Sequence, residues 1–587
     1  MPRQRWQLAD LHPVEAEALS KAARLPLVLA ELLIARGVTD AAQAFAFLNP
    51  EISHLHDPLL MLGMAAAVAR LEQAIAAREP VLLYGDYDVD GTTAVVLLKT
   101  AIEMLGGQTR FHVPHRLLEG YGLQSSVLEA AHAEGVRLVI TVDTGMRAFA
   151  EAETARRLGL DLIVTDHHLC AAGDQLPLAL AILNPNQPGC AYPEKSLCGA
   201  AIALKLAQAV LERRDVARTR EKTLPSFLKM AAIATIADAV PLRGENRAIA
   251  ALGLRAMRSP AGAGLRALFA AAALDPAAKQ LTGFDVAFRL APRINAAGRM
   301  DVASEVIELF CTRDPARATE LAAKLERLNR ERRDTEAAAL KAIEARLATD
   351  AELAADRLLV VDGDGWHRGV IGILASRVVE RTAKPAIVVS VEDGVAYGSG
   401  RSVDGIQLLN AIESCAGLFT RFGGHAFAVG FALPAAALPE LKRRLRLYAA
   451  QHLPAREPEH LLRIHAELPL DRITPVLAGW LRKLEPLGHG NPVPVFVARG
   501  VRLLASPRIM KERHIRLELA QNSAQTPALA HSSSAIRAVG WDMASRVASL
   551  GLVQGSLIDL AYRIRENDHP EFGGLEVEIA GLEIAAG

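Results

Sequence analysis

The sequence predicts an α/β protein whose first domain is a doubly wound parallel sheet. Three short apolar runs end in carboxylates, namely Val81–Tyr84, Leu138–Val142 and Leu162–Thr165. Helical patterns lie between them, notably Thr92–Leu105 and Ser125–Glu134. This alternation of strand and helix is typical of a parallel sheet. Because buried parallel strands end at one edge of such a sheet, we expect their acidic side chains to converge there.

Length and composition favour a cytoplasmic protein of several domains. A chain of 587 residues has room for about four domains, and 51% hydrophobic with 22% charged residues indicates well-packed cores. No run of about 18 uncharged apolar residues occurs, and the start MPRQRWQLAD lacks an apolar signal core. The five cysteines form no CxxC pair, which suits a reducing compartment. We therefore expect no contact with a membrane.

The charge balance excludes a protein that coats nucleic acid, because 66 basic residues are matched by 66 acidic ones. Two helical segments carry basic runs, but such runs are more often solvated helix faces. These runs are Lys324, Arg327, Arg330, Arg332 and Arg333, and Lys442, Arg443, Arg444 and Arg446. Arginines beside glycine, alanine or asparagine are better candidates for binding phosphate. They are Arg293, Arg299 and Arg401.

Four acidic clusters predict one site for two divalent cations. They are GDYDVDG at Gly85–Gly91, VDTG at Val142–Gly145, TDHH at Thr165–His168 and IADAVP at Ile236–Pro241. Carboxylates that converge repel one another unless cations neutralise them. An oxygen-rich set with one imidazole suits Mg²⁺ or Mn²⁺ better than structural Zn²⁺. The predicted ligands are Asp86, Asp88, Asp90, Asp143, His167 and Asp238.

Some of these clusters, taken alone, have a structural explanation. A single Asp after a strand is usually a turn former or a helix N-cap, as Asp143 would be if it stood alone. The run from Asp86 to Gly91 is similar to the start of a calcium loop, yet the closing twelfth position is Leu97 rather than Glu. Asp238 is harder to explain, because an unpaired charge in the apolar stretch Met230–Val240 would be costly.

Taken in order, DYDVDG, VDTG, TDHH and ATIADAVPL resemble the four motifs of the DHH phosphoesterase superfamily. Further segments narrow the resemblance to its RecJ family of bacterial single-strand-specific 5′→3′ DNA exonucleases. These segments are RLAPRINAAGRM at Arg289–Met300, WHRGVIGILASR at Trp366–Arg377, GSGRSV at Gly398–Val403 and FGGH at Phe422–His425. Two departures are mild: Thr144 stands where the family often has Asn or Cys, and Tyr87 is one of several aromatic residues found at its position.

The remaining chain is expected to form three further regions. Asp314 is a credible N-cap for a long helix with Pro315 in its first turn, and no Gly or Pro follows until Gly363. A second α/β domain then begins near Arg357. Five strand candidates follow, which fit an OB-fold barrel that binds single strands. They are Pro494–Val501, His514–Leu519, Ile536–Trp541, Leu557–Ile564 and Leu575–Ile579.

With the resemblance, the predicted domains are a DHH domain with an N-terminal extension (1–310), a connecting helix (311–354), a DHHA1 substrate-binding domain (355–454) and an OB domain (455–587). The resemblance implies that Arg293, Arg299, Arg401, Ser402 and His425 bind substrate across a cleft from the metals. Asp143, His167 and His168 are the predicted catalytic residues, and Asp143 would bridge two ions. His168 would donate a hydrogen bond to the phosphate or protonate the leaving oxygen, and Asp166 would orient His167 or His168.

The resemblance also implies the substrate and the partners. Single-stranded DNA would enter 5′ end first and leave as 5′ mononucleotides, in recombination and repair, with a helicase and a single-strand-binding protein as partners. A monomer is expected. Two alternatives stay open. Related enzymes cleave short oligonucleotides, cyclic dinucleotides or polyphosphate, and a non-catalytic DHH relative acts as a replication scaffold. The C-terminal strands disfavour the first alternative, and the complete acidic set disfavours the second.

Overall fold

The computed structural model describes residues 3–10, 12–116, 118–120, 122–259, 262–455, 459–521, 535–567 and 573–585. The chain forms two compact units. The first contains Leu55–Val240 and Leu252–Glu459, and the second contains Gln4–His54, Pro241–Ala251 and His460–Gly587. The outermost residues 1, 2, 586 and 587 of the predicted terminal domains lie outside the described residues.

The chain begins with one strand and three helices. They are β1 (Arg3–Leu8), α1 (Pro13–Ala23), α2 (Leu27–Ile34) and α3 (Ala41–Leu48). Asp40 caps α3 by accepting a hydrogen bond from the Gln43 amide at 2.8 Å.

The first unit is built on a five-stranded sheet with the order β3-β2-β4-β5-β6, in which every neighbouring pair is parallel. The strands are β2 (Pro80–Gly85), β3 (Gln108–His112), β4 (Leu138–Val142), β5 (Asp161–Thr165) and β6 (Ala181–Leu183). The predicted parallel sheet is therefore confirmed. Leu82, Val139 and Leu162 belong to one buried cluster with the helices on their side, and other helices contact β2, β4 and β5.

The described part of the chain has twelve α-helices between Leu55 and Thr312, and the one that begins at Gly244 lies mostly in the second unit. They are α4 (Met64–Ala77), α5 (Val89–Met104), α6 (Ser125–Ala133), α7 (Phe149–Leu158), α8 (Gly199–Glu212), α9 (Val216–Arg218), α10 (Leu224–Ala237), α11 (Gly244–Ala256), α12 (Ala263–Ala271), α13 (Gly283–Asp285), α14 (Ala291–Met300) and α15 (Ser304–Cys311). π-Helical turns at Thr219–Thr223 and Val286–Leu290 connect α9 with α10 and α13 with α14.

A 35-residue helix, α16 (Pro315–Thr349), follows, and the short α17 (Ala351–Ala355) continues it. The predicted N-cap is confirmed, since the Asp314 carboxylate accepts a hydrogen bond from the Ala316 amide at 2.9 Å. The first half of α16 buries an apolar stripe that includes Leu321 and Leu325, and the second half buries Leu340 and Ile343.

The second α/β region has a mixed five-stranded sheet with the order β10-β11-β9-β8-β7. Only β7 and β8 are parallel. Its elements are β7 (Leu359–Asp364), α18 (Ile371–Thr382), β8 (Ala386–Glu392), β9 (Val395–Arg401), α19 (Leu408–Glu413), β10 (Arg421–His425), β11 (Ala428–Pro434) and α20 (Leu438–His452).

The second unit contains a β-barrel. Seven strands have the order β13-β14-β18-β19-β17-β16-β15, and a further pairing of β14 with β16 closes the barrel. The elements are β12 (Glu459–Ile464), β13 (Ala466–Glu467), α21 (Pro475–Arg482), β14 (Phe496–Leu503), β15 (Arg508–Met510), β16 (His514–Ala520), β17 (Ile536–Gly540), α22 (Ala544–Leu550), β18 (Leu557–Asn567) and β19 (Gly574–Ile584). The five predicted strands are confirmed. β13 and β15 are too short to leave an alternating pattern in the sequence.

The N-terminal helices differ from the predicted domain arrangement, because they share one hydrophobic core with the barrel. Leu29 and Leu33 of α2 lie in the same buried cluster as Phe496 and Leu560. Residues 4–54 therefore group with the C-terminal unit rather than with the first sheet. The predicted boundaries at 310, 354 and 454 stay a prediction.

A buried arginine ties three segments of this second unit together. The Arg247 guanidinium donates to the carbonyls of Phe47 (2.7 Å) and Leu484 (2.9 Å), and also to those of Lys483 and Glu485. It lies 3.8 Å from the centroid of the Phe47 ring. Burial lowers the pKa of Arg247 to about 9.

Within the described residues, no single helix is long and apolar enough to cross a membrane. One bent pair of helices, Ile52–Leu60 with Met64–Ala77, meets the length and composition only when the two are taken together.

We expect Arg247→Met to destabilise the second unit by about 3 kcal/mol, because several buried carbonyls lose their donor. Urea unfolding followed by tryptophan fluorescence measures this loss. Arg255→Ala, at an exposed position of the same helix, is the control and should change the midpoint little. An unchanged midpoint for Arg247→Met would show that the carbonyl contacts contribute nothing net.

Candidate metal centre and substrate cleft

The loop after β2 presents the first three aspartates. Asp88 is the N-cap of α5 and accepts a hydrogen bond from the Gly91 amide at 3.0 Å. A Cβ at Gly91 would lie 2.5 Å from the Asp86 carbonyl oxygen, so the loop closes tightly only on glycine. Asp86 and Asp90 are buried. The Asp-x-Asp-x-Asp-Gly spacing therefore serves the turn as well as the ligands.

Asp90 is fixed by the N-terminus of α8. Its two carboxylate oxygens accept hydrogen bonds from the amides of Gly199 (2.6 Å) and Ala200 (2.8 Å). A helix N-terminus favours negative charge. A Cβ at Gly199 would lie 2.6 Å from the Asp143 Cβ, so glycine is required for α8 to approach the site.

Asp143 and His167 follow the ends of β4 and β5. Asp143 has a φ of 60°, a left-handed conformation that is uncommon for a residue with a side chain and that clusters at functional sites. The His167 Nε2 atom lies 3.2 Å from an Asp143 carboxylate oxygen. The same atom lies 3.8 Å from carboxylate oxygens of Asp90 and Asp238.

These side chains form three overlapping groups, in each of which the ligand atoms lie within 4.8 Å of one another. The groups are Asp86, Asp88 and Asp143; Asp90, His167 and Asp238; and Asp143, His167 and His168. Asp143 and His167 each belong to two groups. The structure thus brings together all six residues that the sequence proposes as metal ligands, and it adds His168.

Burial and mutual repulsion make these carboxylates hard to ionise. Burial, followed by the charge of Asp88, raises the pKa of Asp86 well above its ordinary value. Burial and the neighbouring carboxylates likewise raise the pKa of Asp143. The pKa of Asp238 is raised to about 9 by burial and by Asp90 and Asp88. A cation at this edge of the sheet would relieve the repulsion.

The donor set fits divalent cations that prefer oxygen. One carboxylate oxygen of Asp86 is buried and accepts no hydrogen bond from the described residues. Such an atom is costly unless a cation or water contacts it. Carboxylates with a minority of imidazole suit Mg²⁺ and Mn²⁺.

Asp166 orients His168 rather than pointing at the cluster. Its Oδ1 atom accepts from the amides of His167 (2.8 Å) and His168 (3.1 Å) and lies 2.7 Å from the His168 Nδ1 atom. Burial opposes the charge on His168, but the hydrogen bond and the charge of Asp166 outweigh it and raise the pKa of His168 to about 9. His168 is therefore protonated at neutral pH.

Helix α14 packs against the aspartate loop. The Asn295 side-chain oxygen accepts a hydrogen bond from the Val89 amide at 3.1 Å. A Cβ at Gly298 would lie 2.2 Å from the Tyr87 carbonyl oxygen. The Ala-Gly-Arg sequence at the end of α14 thus allows a close approach and places Arg299 beside the loop.

A cleft of about 580 Å³ opens beside the metal cluster, between the first domain and the face of the mixed sheet. It shares Tyr87, Arg116 and Arg299 with a cavity of about 330 Å³ that Asp86, Asp88, Asp90 and Asp238 also line. The two cavities therefore lie side by side and have these three residues as a common wall.

Five arginines line this cleft, and none forms an ion pair with a carboxylate of the described chain. They are Arg116, Arg299, Arg368, Arg401 and Arg421. Burial, followed by the charges of Arg116 and Arg332, lowers the pKa of Arg299 to about 10. Burial and Arg116 also lower the pKa of Arg401. Cations that repel one another in a cleft indicate an anionic ligand.

Aromatic rings hold two of these guanidinium groups. Arg368 lies 3.6 Å from the centroid of the Tyr397 ring, and Arg116 lies 5.0 Å from that of Tyr87. Such stacking leaves the N–H edges of a guanidinium available for phosphate.

Of the five predicted substrate-binding residues, Arg299 and Arg401 line the cleft. Arg293 instead forms an ion pair with Glu326 at 2.6 Å. The Ser402 hydroxyl donates to the Ile406 carbonyl at 2.7 Å, and the His425 Nδ1 atom accepts from the Phe427 amide at 3.3 Å. The last of these contacts is local, between residues two apart in a turn, and substrate binding by these three residues stays a prediction.

Several cleft residues were not predicted. Arg368 and Arg421 stand in or directly before the quoted WHRGV and FGGH segments, so the motifs point to them. Arg116 lies in a loop after β3 and has no motif around it. Tyr397 on β9 has the alternating neighbours of an ordinary strand residue.

Most of the basic residues in the two helical runs are ion-paired on the surface of the protein. Lys324 pairs with Asp301 and Glu305, and Arg443 and Arg444 both pair with Glu440. Their preferred explanation as solvated helix faces agrees with these contacts.

Three family descriptions match the chain. They are the DHH family, N-terminal domain, over residues 80–235, the DHHA1 domain over 355–451, and the RecJ OB domain over 464–580. The α/β, DHHA1 and OB architecture predicted from the sequence is thereby confirmed.

Known RecJ exonucleases are similar in sequence to this chain over most of its length. The RecJ single-stranded-DNA-specific exonuclease of Dickeya dadantii is 36% identical over 512 residues, which cover 84% of this chain and 86% of that protein. That of Bacillus subtilis is 35% identical over 89% of this chain, which spans 65% of the length of that protein, less than two thirds.

A crystal structure of RecJ from Thermus thermophilus in complex with Mn²⁺ is 29% identical, with a TM-score of 0.83 over 100% of this chain and 80% of that one. The complex of RecJ from the same organism with Mg²⁺ has a TM-score of 0.77. Because the identity exceeds 30% over most of both the Dickeya protein and this chain, and the DHH, DHHA1 and RecJ OB domain descriptions all match, the chain belongs to the RecJ family of single-stranded-DNA-specific exonucleases.

Proposed function

We propose that this protein is a metal-dependent exonuclease that hydrolyses single-stranded DNA from its 5′ end and releases 5′ mononucleotides. The observation that carries the proposal is the shared wall of the two cavities. Tyr87, Arg116 and Arg299 border both the carboxylate cluster and the arginine-lined cleft. A strand held by its phosphates in the cleft would present a phosphodiester bond to the cluster.

Two divalent cations are the proposed cofactors. Asp86, Asp88 and Asp143 would hold one, and Asp90, His167 and Asp238 the other. Asp143 would be the bridge, because its carboxylate also lies 3.2 Å from the His167 Nε2 atom. In sites of this composition, divalent cations supply an activated water and bind the phosphoryl oxygens.

The chain's own residues supply positioning and a proton. Water adds to the phosphorus, and the bond from phosphorus to O3′ of the terminal nucleotide breaks. His168, held by Asp166 and protonated at neutral pH, donates a proton to the departing O3′. The products are a 5′ mononucleotide and a strand with a new 5′ phosphate.

The arginines of the cleft are the proposed reader of the 5′-terminal phosphate. Arg116 and Arg299 border the aspartate loop, whereas Arg401 and Arg421 belong to the mixed sheet. A cavity of about 580 Å³ has the size of a small-molecule site, so it accommodates a short stretch of one strand. The barrel would bind the strand farther from its end. A role in recombination and repair, with a helicase and a single-strand-binding protein, is the biological setting we propose.

The first test is degradation of a single-stranded oligonucleotide labelled at its 5′ or 3′ end, with Mn²⁺. We expect labelled mononucleotide to appear at once from the 5′-labelled strand only, and a matching blunt duplex to survive. EDTA should abolish the reaction, and Asp143→Ala should lower its rate by about 1,000-fold or more because the bridge between the ions is lost.

Two outcomes would contradict this proposal. Cleavage of dinucleotides or polyphosphate with survival of long strands would leave the metal site but change the substrate. Tight retention of the strand without hydrolysis would indicate a scaffold.

Metal removal should have an effect on stability that depends on pH. Because the pKa values of Asp86, Asp88, Asp143 and Asp238 are raised in the folded state, the metal-free fold is favoured at low pH. It loses that stability as pH rises from about 4 towards about 9. Cations that replace the protons restore it, so Mn²⁺ should raise the melting temperature by about 5 °C or more at pH 8 and by less at pH 6.

Asp238→Asn, which removes one of these carboxylates, should weaken the dependence on pH. Differential scanning fluorimetry with and without EDTA measures both effects. An equal rise at the two pH values would contradict the assignment of these carboxylates as the ligands.

Arg401→Ala and Arg421→Ala should each raise KM for a 5′-phosphorylated strand by about tenfold, since each loses a charge-assisted contact with phosphate. The difference between 5′-phosphate and 5′-hydroxyl strands should shrink in both variants. Arg443→Ala, on an exposed and ion-paired side chain, is the control. An undiminished preference for the 5′ phosphate would contradict the assignment.

A further inference from the structure

We propose that the ion pair of Arg293 with Glu326 positions helix α14, and thereby sets the width of the cleft that restricts the substrate to a single strand. The inference rests on the proposed function. It assigns Arg293 and Glu326 as positioning residues, which touch neither the cleft nor the carboxylate cluster.

The last two turns of α14 contact both walls of the cleft. On one side, Asn295 and Gly298 pack against the loop that carries Asp86–Asp90. On the other side, Arg299 donates a hydrogen bond to the Gly369 carbonyl of the DHHA1 domain at 3.0 Å. A Cβ at Gly369 would lie 2.4 Å from the Arg299 carbonyl oxygen. Any movement of α14 therefore moves one wall of the cleft relative to the other.

Arg293 anchors α14 just before these contacts. Its Nε atom lies 2.6 Å from a carboxylate oxygen of Glu326, and the two side chains are only 14% and 26% exposed. Its guanidinium also donates to the Arg289 carbonyl within the same helical run. An ion pair removed from water to this extent is sensitive to the loss of either partner.

Glu326 lies on α16, which also holds the DHHA1 domain. Ten residues later on α16, about 15 Å along the helix, Glu336 pairs with Arg332 at 2.9 Å and with Arg377 of α18 at 3.3 Å. Arg346 of α16 pairs with Asp362 of β7 at 3.0 Å. The described helix has no Gly or Pro after its first residue. Helix α16 is thus a stiff spacer. Its first half contacts α14, and its second half contacts the DHHA1 domain.

Apolar packing repeats this arrangement. Leu340 and Ile343 of α16 lie in one buried cluster with Leu374 and Val378 of α18, and Met300 at the end of α14 packs against that cluster. The position of α14 therefore depends on its contacts with α16 and with the DHHA1 core. Arg293 and Glu326 form a charged contact within this packing, beside the pair of Lys324 with Asp301 directly after α14.

The test uses the full-length protein and four variants. Glu326→Gln removes the charge with little change of shape, and Arg293→Lys keeps the charge but loses the guanidinium. Arg293→Glu combined with Glu326→Arg restores the pair in the opposite sense. Arg317→Ala is the matched control, because it removes an exposed ion pair from the same helix without touching α14.

We expect Glu326→Gln to retain the Mn²⁺-dependent rise in melting temperature, which shows a folded protein with an intact metal site. Its KM for the single strand should increase roughly 10- to 100-fold with little change in kcat, because misplaced walls weaken binding. Its rate on a blunt duplex should increase relative to the single strand. The reversed pair should restore most of the parent's KM and most of its preference for the single strand over the duplex. Arg317→Ala should behave like the parent protein.

A distance measurement tests the geometry without relying on activity. Spin labels on cysteines introduced at the exposed residues Glu129 of α6 and Leu447 of α20 report the separation of the two domains, after Cys170 and Cys311 are replaced by serine. Electron–electron resonance should give a broader distance distribution for Glu326→Gln, and the reversed pair should restore the narrow one.

The outcomes separate the two proposals. Suppose that the parent protein degrades single strands and that the variants keep its KM, its strand selectivity and its distance distribution. This result would overturn the positioning role alone. A parent protein without exonuclease activity would overturn the proposed function, and the single-strand restriction with it. If a single-residue variant fails to fold, the reversed pair decides, since the positioning role requires it to restore the parent's distance distribution.

Discussion

Repulsion between buried carboxylates at the edge of the parallel sheet is the constraint on which the rest of the site depends. Parallel strands bring their carboxyl ends to one rim, so Asp143 and His167 lie close to the loop of Asp86 and Asp88 as soon as the sheet forms. The fold holds these charges by the helix N-terminus at Asp90 and by glycines that permit close approach. It leaves the remaining charge to be neutralised by cations.

Positive charge accumulates in the neighbouring cleft, where five arginines form no ion pair with a carboxylate among the described residues. A cation site beside a positively charged cleft suits a polyanion that contacts both. Under the proposed function, metal ions held at one wall would bind a phosphodiester, and guanidinium groups at the other would bind the neighbouring phosphate. The chain carries no net charge, yet arginines without an ion pair among the described residues gather in this cleft, whereas Lys324 and Arg443 on the helix faces are ion-paired.

Helix α14 connects the two walls of the cleft. Helix α14 is short, yet it contacts the aspartate loop, the DHHA1 domain and α16. From the sequence, its motif is interpreted as a phosphate-binding segment. In the structure, Arg299 fits that interpretation, whereas Arg293 is taken up by Glu326 at 2.6 Å. Two arginines in one motif therefore have different surroundings, because successive turns of the helix face different neighbours.

The sequence predicted four features that the structure contains: the parallel sheet, the long helix after Asp314, the five main barrel strands, and the six acidic and imidazole side chains that gather at the edge of the sheet. These features depend on local sequence, because the spacing of apolar residues, the capping residues and the acids at strand ends can each be recognised within a short segment. Tertiary structure alone decided which arginines line the cleft, that residues 4–54 join the barrel core, and that Arg116 and Tyr397 belong to the site. Those outcomes depend on contacts between residues far apart in the chain, and a single sequence carries no local signal for such contacts.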